Sequence, residues 1–262
     1  MKQFVLSFNP ENTDNGSEKE LILTDREFHY LIHVRRYSSG DSIPALSPDG
    51  RVFKMSVLDV GKKSCTVGFT QVFKENTEKN SPLPRITLMP ALTRGRKMDL
   101  VIRQAVEGGA FAIWPVLTEN CQVKFRKDPD TSGKNERWQR ITVEALQQCG
   151  GKYSTALETP GTIADILETW DRRGPLFFLH EQKTGNKEPN SLHQYLAEPF
   201  EDLAIMVGPE GGFSPGETGL LRDYGGKPVY LGQRVLRAET AAIYGLAAIS
   251  TIIRESNEWQ TA

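Results

Sequence analysis

Gly208-Pro209-Glu210-Gly211-Gly212-Phe213-Ser214-Pro215-Gly216-Glu217, followed by Leu231-Gly232-Gln233-Arg234-Val235-Leu236-Arg237-Ala238-Glu239-Thr240, decides how this chain is read. Each stretch follows a short apolar run, residues 203–207 and 228–231, and each opens into a helix-forming segment. Two strand-to-helix turns placed side by side bring backbone N–H groups, helix N-termini and glycine clearance to one place. In an open α/β sheet, ligands bind at that end of the strands.

In the first loop, Gly208, Gly211 and Gly212 permit positive φ and close approach of a ligand to the backbone. Ser214-Pro215-Gly216-Glu217 is a helix start, with Ser214 as N-cap, Pro215 at N1 and Glu217 closing a capping box. Leu220, Leu221 and Tyr224 are expected to face the core, with Gly225 as the stop. Taken alone, this loop reads as a glycine-rich turn before a well-capped helix. The second loop points to a ligand. Arg234 and Arg237 stand just before an alanine-rich apolar helix over residues 241–253, where cations oppose the helix dipole. Either they bind an anionic or polar substrate, or they pair with Glu210, Glu217 or Glu239.

Working outward, the chain from Arg85 alternates strands and helices, which implies a mainly parallel sheet. Strands are expected over 85–92, 111–117 and 176–180, and a helix over 136–148 with Trp138, Ile141, Ala145 and Leu146 inward. Met98, Ile102, Ala105 and Val106 form another helix stripe, with Asp99 and Arg103 spaced to pair at i, i+4. Residues 124–135 are polar and read as a mobile segment. Residues 1–73 read instead as short strands (4–6, 42–46, 52–57, 65–69) with a helix over 25–37 and turns at Pro48-Asp49-Gly50 and Gly61-Lys62-Lys63. A small β-barrel fits this pattern. The polar, proline-bounded residues 74–84 read as a linker, giving domains at 1–73 and 85–262.

The 262 residues suffice for a sizeable core in one large or two modest domains. No apolar stretch approaches the roughly 20 residues of a membrane span, and no signal-peptide pattern follows Met1-Lys2-Gln3. Cys65, Cys121 and Cys149 are scattered and odd in number, which fits a reducing cytoplasm. The four histidines show no metal-ligand spacing with cysteine, and His29 and His33, at i, i+4, have no third ligand near, so no metal is expected. Residues 1–74, 75–140 and 141–262 carry net charges of +1, +4 and −6, which permit a basic face for nucleic acid as well as plain solvated surfaces. No dinucleotide or P-loop motif and no nucleophile elbow is present.

The pair of motifs, G-P-E-G-G-F-S-x-x-E and L-G-x-R-V-L-R-x-E-T-A, resembles the signature of the RsmE-type ribosomal RNA small subunit methyltransferases, of the knotted SPOUT class. The resemblance spans nearly the whole chain. His29-Tyr30-Leu31-Ile32-His33-Val34-Arg35-Arg36 with Gly40-Asp41 resembles that family's PUA-like barrel, and Arg94-Gly95-Arg96-Lys97-Met98-Asp99 resembles the start of its first catalytic-domain helix. Glu144-Ala145 with Gln148-Cys149-Gly150 and Leu179-His180-Glu181 match further segments. The chain departs from the family pattern at Gln104 and the run after it, at Asn120, and at Gly151, where an arginine is usual at the last two.

The resemblance implies a C-terminal SPOUT-type knotted α/β domain with a mainly parallel sheet, and an N-terminal PUA-like small β-barrel. It implies S-adenosyl-L-methionine as cofactor and methyl transfer to N3 of a uridine in 16S rRNA of the small ribosomal subunit, by a cytoplasmic homodimer without metal or membrane. For this chain it implies a cofactor site on three walls. Leu179, His180 and Glu181 form one, and Val207, Gly208, Pro209, Glu210, Gly211 and Gly212 a second. Leu231, Gly232, Arg234, Val235, Leu236, Thr240 and Ala241 form the third. Arg237 is the expected catalytic residue facing the uracil, with Glu210 as base or as the group orienting an arginine. Arg35, Arg36, Lys54, Arg94, Arg96 and Arg234 are expected on RNA. Two alternatives stay open: a knotted methyltransferase acting on another RNA, and a catalytically silent RNA- or ribosome-binding protein.

Overall fold

A computed structural model describes residues 3–6, 8, 19–47, 51–71, 84–122, 132–151, 153–180 and 192–259. Two compact units are present: residues 1–79 with 146–154, and residues 80–145 with 155–262.

The first unit is built on a five-stranded sheet of β1 (Phe4–Val5), β2 (Lys19–Thr24), β3 (Ser42–Leu46), β4 (Val52–Val60) and β5 (Ser64–Gln71), in the order β1-β3-β4-β5-β2. Only the β1–β3 pair is parallel. Alternation along β4 buries Phe53, Met55 and Val57 and turns Lys54 outward, the two-residue period of a strand with one face covered. The core also takes Phe4, Leu6, Leu23, Leu31, Val67 and Phe69. The expected helix is shorter and of mixed pitch: α1 (Asp25–Phe28) runs into a π-helical stretch at His29–Val34. The strand β2 has no counterpart among the expected elements. The turn at 48–50 and residues 74–83 of the linker lie outside the described residues.

The second unit has a six-stranded, wholly parallel sheet, as the alternating pattern predicts. It contains β6 (Arg85–Pro90), β7 (Ala112–Ile113), β9 (Ala156–Leu157), β11 (Leu176–Leu179), β12 (Asp202–Val207) and β13 (Lys227–Val229), in the order β13-β11-β12-β6-β7-β9. A two-stranded parallel pair, β8 (Val116–Leu117) with β10 (Gly161–Thr162), flanks it. The single strand expected over 111–117 is therefore two. It breaks at Trp114-Pro115, where proline has no N–H for the ladder. The helices are α2 (Lys97–Glu107), α3 (Ser132–Cys149), α4 (Ile163–Trp170), α5 (Leu192–Tyr195), α6 (Pro215–Asp223) and α7 (Ala238–Trp259).

The central strand β12 is apolar on both faces, with Leu203, Ala204, Ile205, Met206 and Val207 all buried, as a parallel strand covered by helices must be. One face carries Trp114, Ile163, Ile166, Leu167 and Trp170 against Met89, Phe178 and Met206. On α2, Met98, Ile102, Ala105 and Val106 are buried as expected. Asp99 pairs with Arg137 of α3 instead of Arg103 one turn away, because it faces inward, where only a residue from another element reaches it. Helix α3 begins at Ser132, before the expected start, and residues 123–131 of the polar segment are outside the described set.

Helix α7 packs on α2, β12 and β6, although the strand before it, β13, lies at the sheet edge beyond β11. Residues 230–237 must therefore cross the carboxyl end of β11 on the way back. Residues 181–191, between β11 and α5, lie outside the described residues.

Gly174 sits just before β11, and a Cβ there would lie 1.8 Å from the carbonyl oxygen of Asp202, the first residue of β12. Gly174→Ala is expected to destabilise the protein by about 2–3 kcal/mol, because backbone must move to admit the methyl. A fall in Tm on calorimetric melting checks it, with Gly133→Ala, where a Cβ meets nothing within 4 Å, as the silent control.

Candidate functional site

Strands β11, β12 and β13 end side by side at Leu179, Val207 and Val229, since all three run parallel. Both glycine loops leave from this edge. In the first, the Gly212 N–H donates to the Pro209 carbonyl at 2.9 Å and Gly212 takes φ +68°, a left-handed turn open to glycine. The capping box forms as read. The Glu217 N–H donates to Ser214 Oγ at 3.1 Å, and the Ser214 N–H donates to Glu217 Oε2 at 2.8 Å. The other carboxylate oxygen of Glu217 accepts from the Glu119 N–H at 2.7 Å. Beside it, the Asn120 side-chain amide donates to the carbonyls of Gly211 and Gly212 at 3.2 and 3.0 Å. The segment after β8 thus backs the first loop. Asn120, a departure from the family pattern, holds the loop in shape here, and a Cβ on Gly211 would come within 3.1 Å of the Asn120 Cβ.

The second loop turns at Gly232, with φ +114°, and enters α7 at the buried Ala238. The Ala241 N–H donates to the Arg237 carbonyl at 2.8 Å to close the first turn. Gly245, one turn further on, lets α7 lie against Ile205 and Leu179; a Cβ there would meet Ile205 Cδ1 at 2.7 Å. Both walls are thereby set on β11 and β12.

Between the loops lies a cleft of about 600 Å³, a size suited to a small-molecule ligand. Thirteen of the residues expected around a cofactor line it. Leu179 and His180 form one side. Val207, Gly208, Pro209, Gly211 and Gly212 form the second, and Leu231, Gly232, Arg234, Val235, Leu236 and Ala241 the third. Glu181 lies outside the described residues. Glu210, Thr240 and Arg237 do not line the cleft.

Sequence reading missed Phe213, Pro215, Thr218, Gly219, Arg222, Val229, Gln233 and Ala238, which also line it. The inward turn of α6 explains three of these. The spacing places Leu220 and Leu221 together, but only Leu221 is buried, Leu220 being 42% exposed, and the side of α6 bearing Thr218, Gly219 and Arg222 faces the cleft. Gly225 ends the helix with φ +98°, as expected.

Arg222, Arg234 and His180 are the charged or titratable side chains on the cleft wall, and no carboxylate lies among them. The pairing of Arg234 or Arg237 with Glu210, Glu217 or Glu239 does not occur among the described residues. Glu217 is consumed by the capping box. Lys97 takes the other two, with its Nζ 2.5 Å from Glu210 Oε1 and 3.7 Å from Glu239 Oε2. The hydrogen bond from Lys97 pulls the Glu210 carboxyl below its usual range and lifts Lys97 above its own. Glu210 is thereby a poorer proton acceptor than a free carboxylate, opposite to the adjustment a general base needs.

Arg94 and Arg96 are exposed just before α2. In the first unit, Arg35 donates to the Tyr37 hydroxyl at 3.3 Å, which raises its pKa, and lies over the Tyr30 and Tyr37 rings at 6.0 and 5.8 Å. Arg36 and Lys54 are exposed. Gly151, where the family pattern has arginine, has its carbonyl accepting from the Gln3 side-chain amide at 2.7 Å, and a Cβ there would meet Leu146 Cδ1 at 2.8 Å. The described residues contain no cluster of three potential metal ligands, and no described helix is long and apolar enough to cross a membrane.

Comparison with known proteins places these features in context. An RNA methyltransferase domain model matches residues 79–250, and an RNA methyltransferase PUA domain model matches residues 23–70. Over 90% of this chain and 74% of the relative, the sequence is 31% identical to ribosomal RNA small subunit methyltransferase E of Synechocystis sp.. The Bacillus subtilis protein of the same name is 29% identical over 87% of this chain and 88% of its own. A solved methyltransferase of Legionella pneumophila, in complex with bound S-adenosylmethionine, superposes with a TM-score of 0.79 at 30% identity, covering 96% of this chain and 98% of that one. Ribosomal RNA small subunit methyltransferase E of Neisseria gonorrhoeae, bound to S-adenosylmethionine, gives 0.77 at 25% identity over 96% and 98%.

Two outcomes are expected. Glu217→Ala strips partners from the amides of Ser214 and Glu119 together and should lower stability by about 2–4 kcal/mol, against about 1 kcal/mol for Ser214→Ala; paired denaturant melts check the ratio. Glu210 has a depressed pKa, so its pairing with Lys97 contributes above the unfolded carboxyl pKa and is lost as the pH falls through the folded value. Glu210→Gln should therefore lower the neutral plateau of a Tm–pH profile slightly and flatten its acid limb, with no change below the folded carboxyl pKa.

Proposed function

The chain belongs to the ribosomal RNA small subunit methyltransferase E family and is an S-adenosylmethionine-dependent RNA methyltransferase of the SPOUT type; from that premise we propose that its acceptor is N3 of one uridine in 16S rRNA. The observation that carries the reading is the cleft itself, bounded by both glycine loops at the carboxyl edge of three parallel strands.

The lining suits the cofactor. Gly212 and Gly232 hold positive φ and leave backbone amides and carbonyls open for polar contacts, while Leu179, Leu231 and Leu236 offer apolar surface to an adenine ring. Arg234 and Arg222 supply cations for a carboxylate or a phosphate. When bound, S-adenosylmethionine supplies an electrophilic methyl on a sulfonium. What remains for the chain is to position the uracil in line and to favour loss of its N3 proton. As N3 loses that proton, negative charge spreads to the two uracil oxygens. An arginine directed at them stabilises it.

We assign that role to Arg237, which stands at the start of α7 without a carboxylate partner among the described residues and outside the cofactor cleft. Glu210 is assigned to holding the cations of this edge, as its bond to Lys97 and the charge of Arg94 support. The RNA is gripped by Arg94 and Arg96 on the second unit, and by Arg36 and Lys54, with Arg35 held between its two tyrosines, on the first. The protein is assigned to the cytoplasm, which the free Cys65, Cys121 and Cys149 support. It is assigned as a homodimer; the exposed Val235 and Tyr244, at 73% and 54%, support that assignment.

The test is methyl transfer from labelled S-adenosylmethionine to small ribosomal subunits lacking the modification, with mass mapping of the rRNA. A single 3-methyluridine is expected; label at another position or in another RNA rejects the acceptor. Arg237→Ala should reduce transfer by roughly 10²-fold or more with cofactor affinity unchanged. Loss of cofactor binding in that variant would make Arg237 a cofactor residue instead.

A further inference from the structure

We infer that Lys97 is a positioning residue that keeps the second cofactor loop and the head of α7 seated, by setting its ammonium beside the buried carboxylate of Glu239 while it also bonds the solvated Glu210 of the first loop. The inference rests on the cleft being the S-adenosylmethionine site.

Lys97 belongs to neither loop. It is the first residue of α2, and its Nζ lies 2.5 Å from Glu210 Oε1 and 3.7 Å from Glu239 Oε2. Glu210 stands between Pro209 and Gly211, and Glu239 directly follows Ala238; those three neighbours line the cleft, and the two carboxylates do not. The three charges therefore lie off the cleft wall, next to residues that form it. Among the described residues no backbone hydrogen bond joins residues 208–214 to residues 230–237. The ammonium is a direct electrostatic tie between the loops.

The two ends of the tie differ in character. Glu210 is 35% exposed, receives a hydrogen bond from Lys97 and also feels the charge of Arg94. Water and Arg94 remain to it if Lys97 is lost. Glu239 is 13% exposed, and its Oε2 is sealed from solvent with no hydrogen-bond partner. A buried, unpartnered carboxylate oxygen is unfavourable unless an opposite charge stands close. What faces it is the N-terminal dipole of α7 and Lys97, with Arg237 close enough to act on the same ammonium. Removing Lys97 leaves Glu239 facing a deficit it can relieve only by moving toward solvent. That motion carries Ala238 and the second loop with it and opens the cleft.

The asymmetry yields a test that a merely structural lysine would not pass. Cofactor affinity is measured by calorimetric titration of S-adenosylmethionine into the full-length protein, with Tm recorded for each variant. Lys97→Met should weaken binding by roughly tenfold. Adding Glu239→Gln to Lys97→Met should recover most of that loss, because the buried charge is gone. Adding Glu210→Gln should not, and Lys97→Arg should keep affinity near wild type. Should Lys97→Met fold too poorly to titrate, the step from Glu239→Gln to the Lys97→Met/Glu239→Gln pair decides, and it must weaken binding by much less than tenfold. Undiminished affinity in a folded Lys97→Met variant overturns the inference, as does a loss that Glu239→Gln does not rescue. Failure of the wild-type chain to bind S-adenosylmethionine overturns the cofactor reading instead and is seen before any variant is made.

Discussion

Parallel pairing of β11, β12 and β13 is the constraint on which the site depends. Strands that run the same way must end at the same edge, and the loops that follow them are thrown together there. The two glycine motifs lie 13 residues apart, with a helix and a strand between them, yet both walls of the cleft rise from one edge. Antiparallel pairing at either junction would place one loop at the opposite end of the sheet. The burial of β12 on both faces enforces the arrangement, because helices must cover each side of it and each returns the chain to the same starting edge.

On this frame the loops are held by groups from elsewhere in the unit. Glu217 completes its own helix cap and still binds the Glu119 amide, so one carboxylate satisfies two backbone N–H groups from two segments. Asn120 secures two consecutive glycine carbonyls. Lys97 stands behind both loops. The cleft can therefore remain free of carboxylates while being surrounded by them, and its wall keeps a cationic balance from Arg222 and Arg234. Acidic residues near the site serve the architecture, which is why the acidic C-terminal segment is compatible with an RNA enzyme.

The correspondence between pattern and structure was close where one residue's environment is set by its neighbours in sequence. The capping box at Ser214 and Glu217, the stop at Gly225 and the inward stripe of α2 are of this kind. It failed where a second element decides. Asp99 abandons its helical i, i+4 partner for Arg137 because only α3 reaches its buried position. Residues 111–117 divide at Pro115 into strands of two sheets. Arg222 was unreadable as a cleft residue, since a terminal arginine on an amphipathic helix reads as a solvated charge until the helix is docked and its Thr218 side faces the loops.

By itself the sequence determined the strand–helix alternation, the two-unit character, and which loops border the cleft. Those depend on period, glycine placement and caps, all of them local properties of the chain. Only the tertiary structure decided the charge pairing. Nothing in the spacing of residues 97, 210 and 239 brings them together; packing of α2 against α7 does, and with it the fate of each carboxylate. Charges act across space with no period in sequence. Which cation is paired with two carboxylates and which arginines are left without one is therefore decided by the fold.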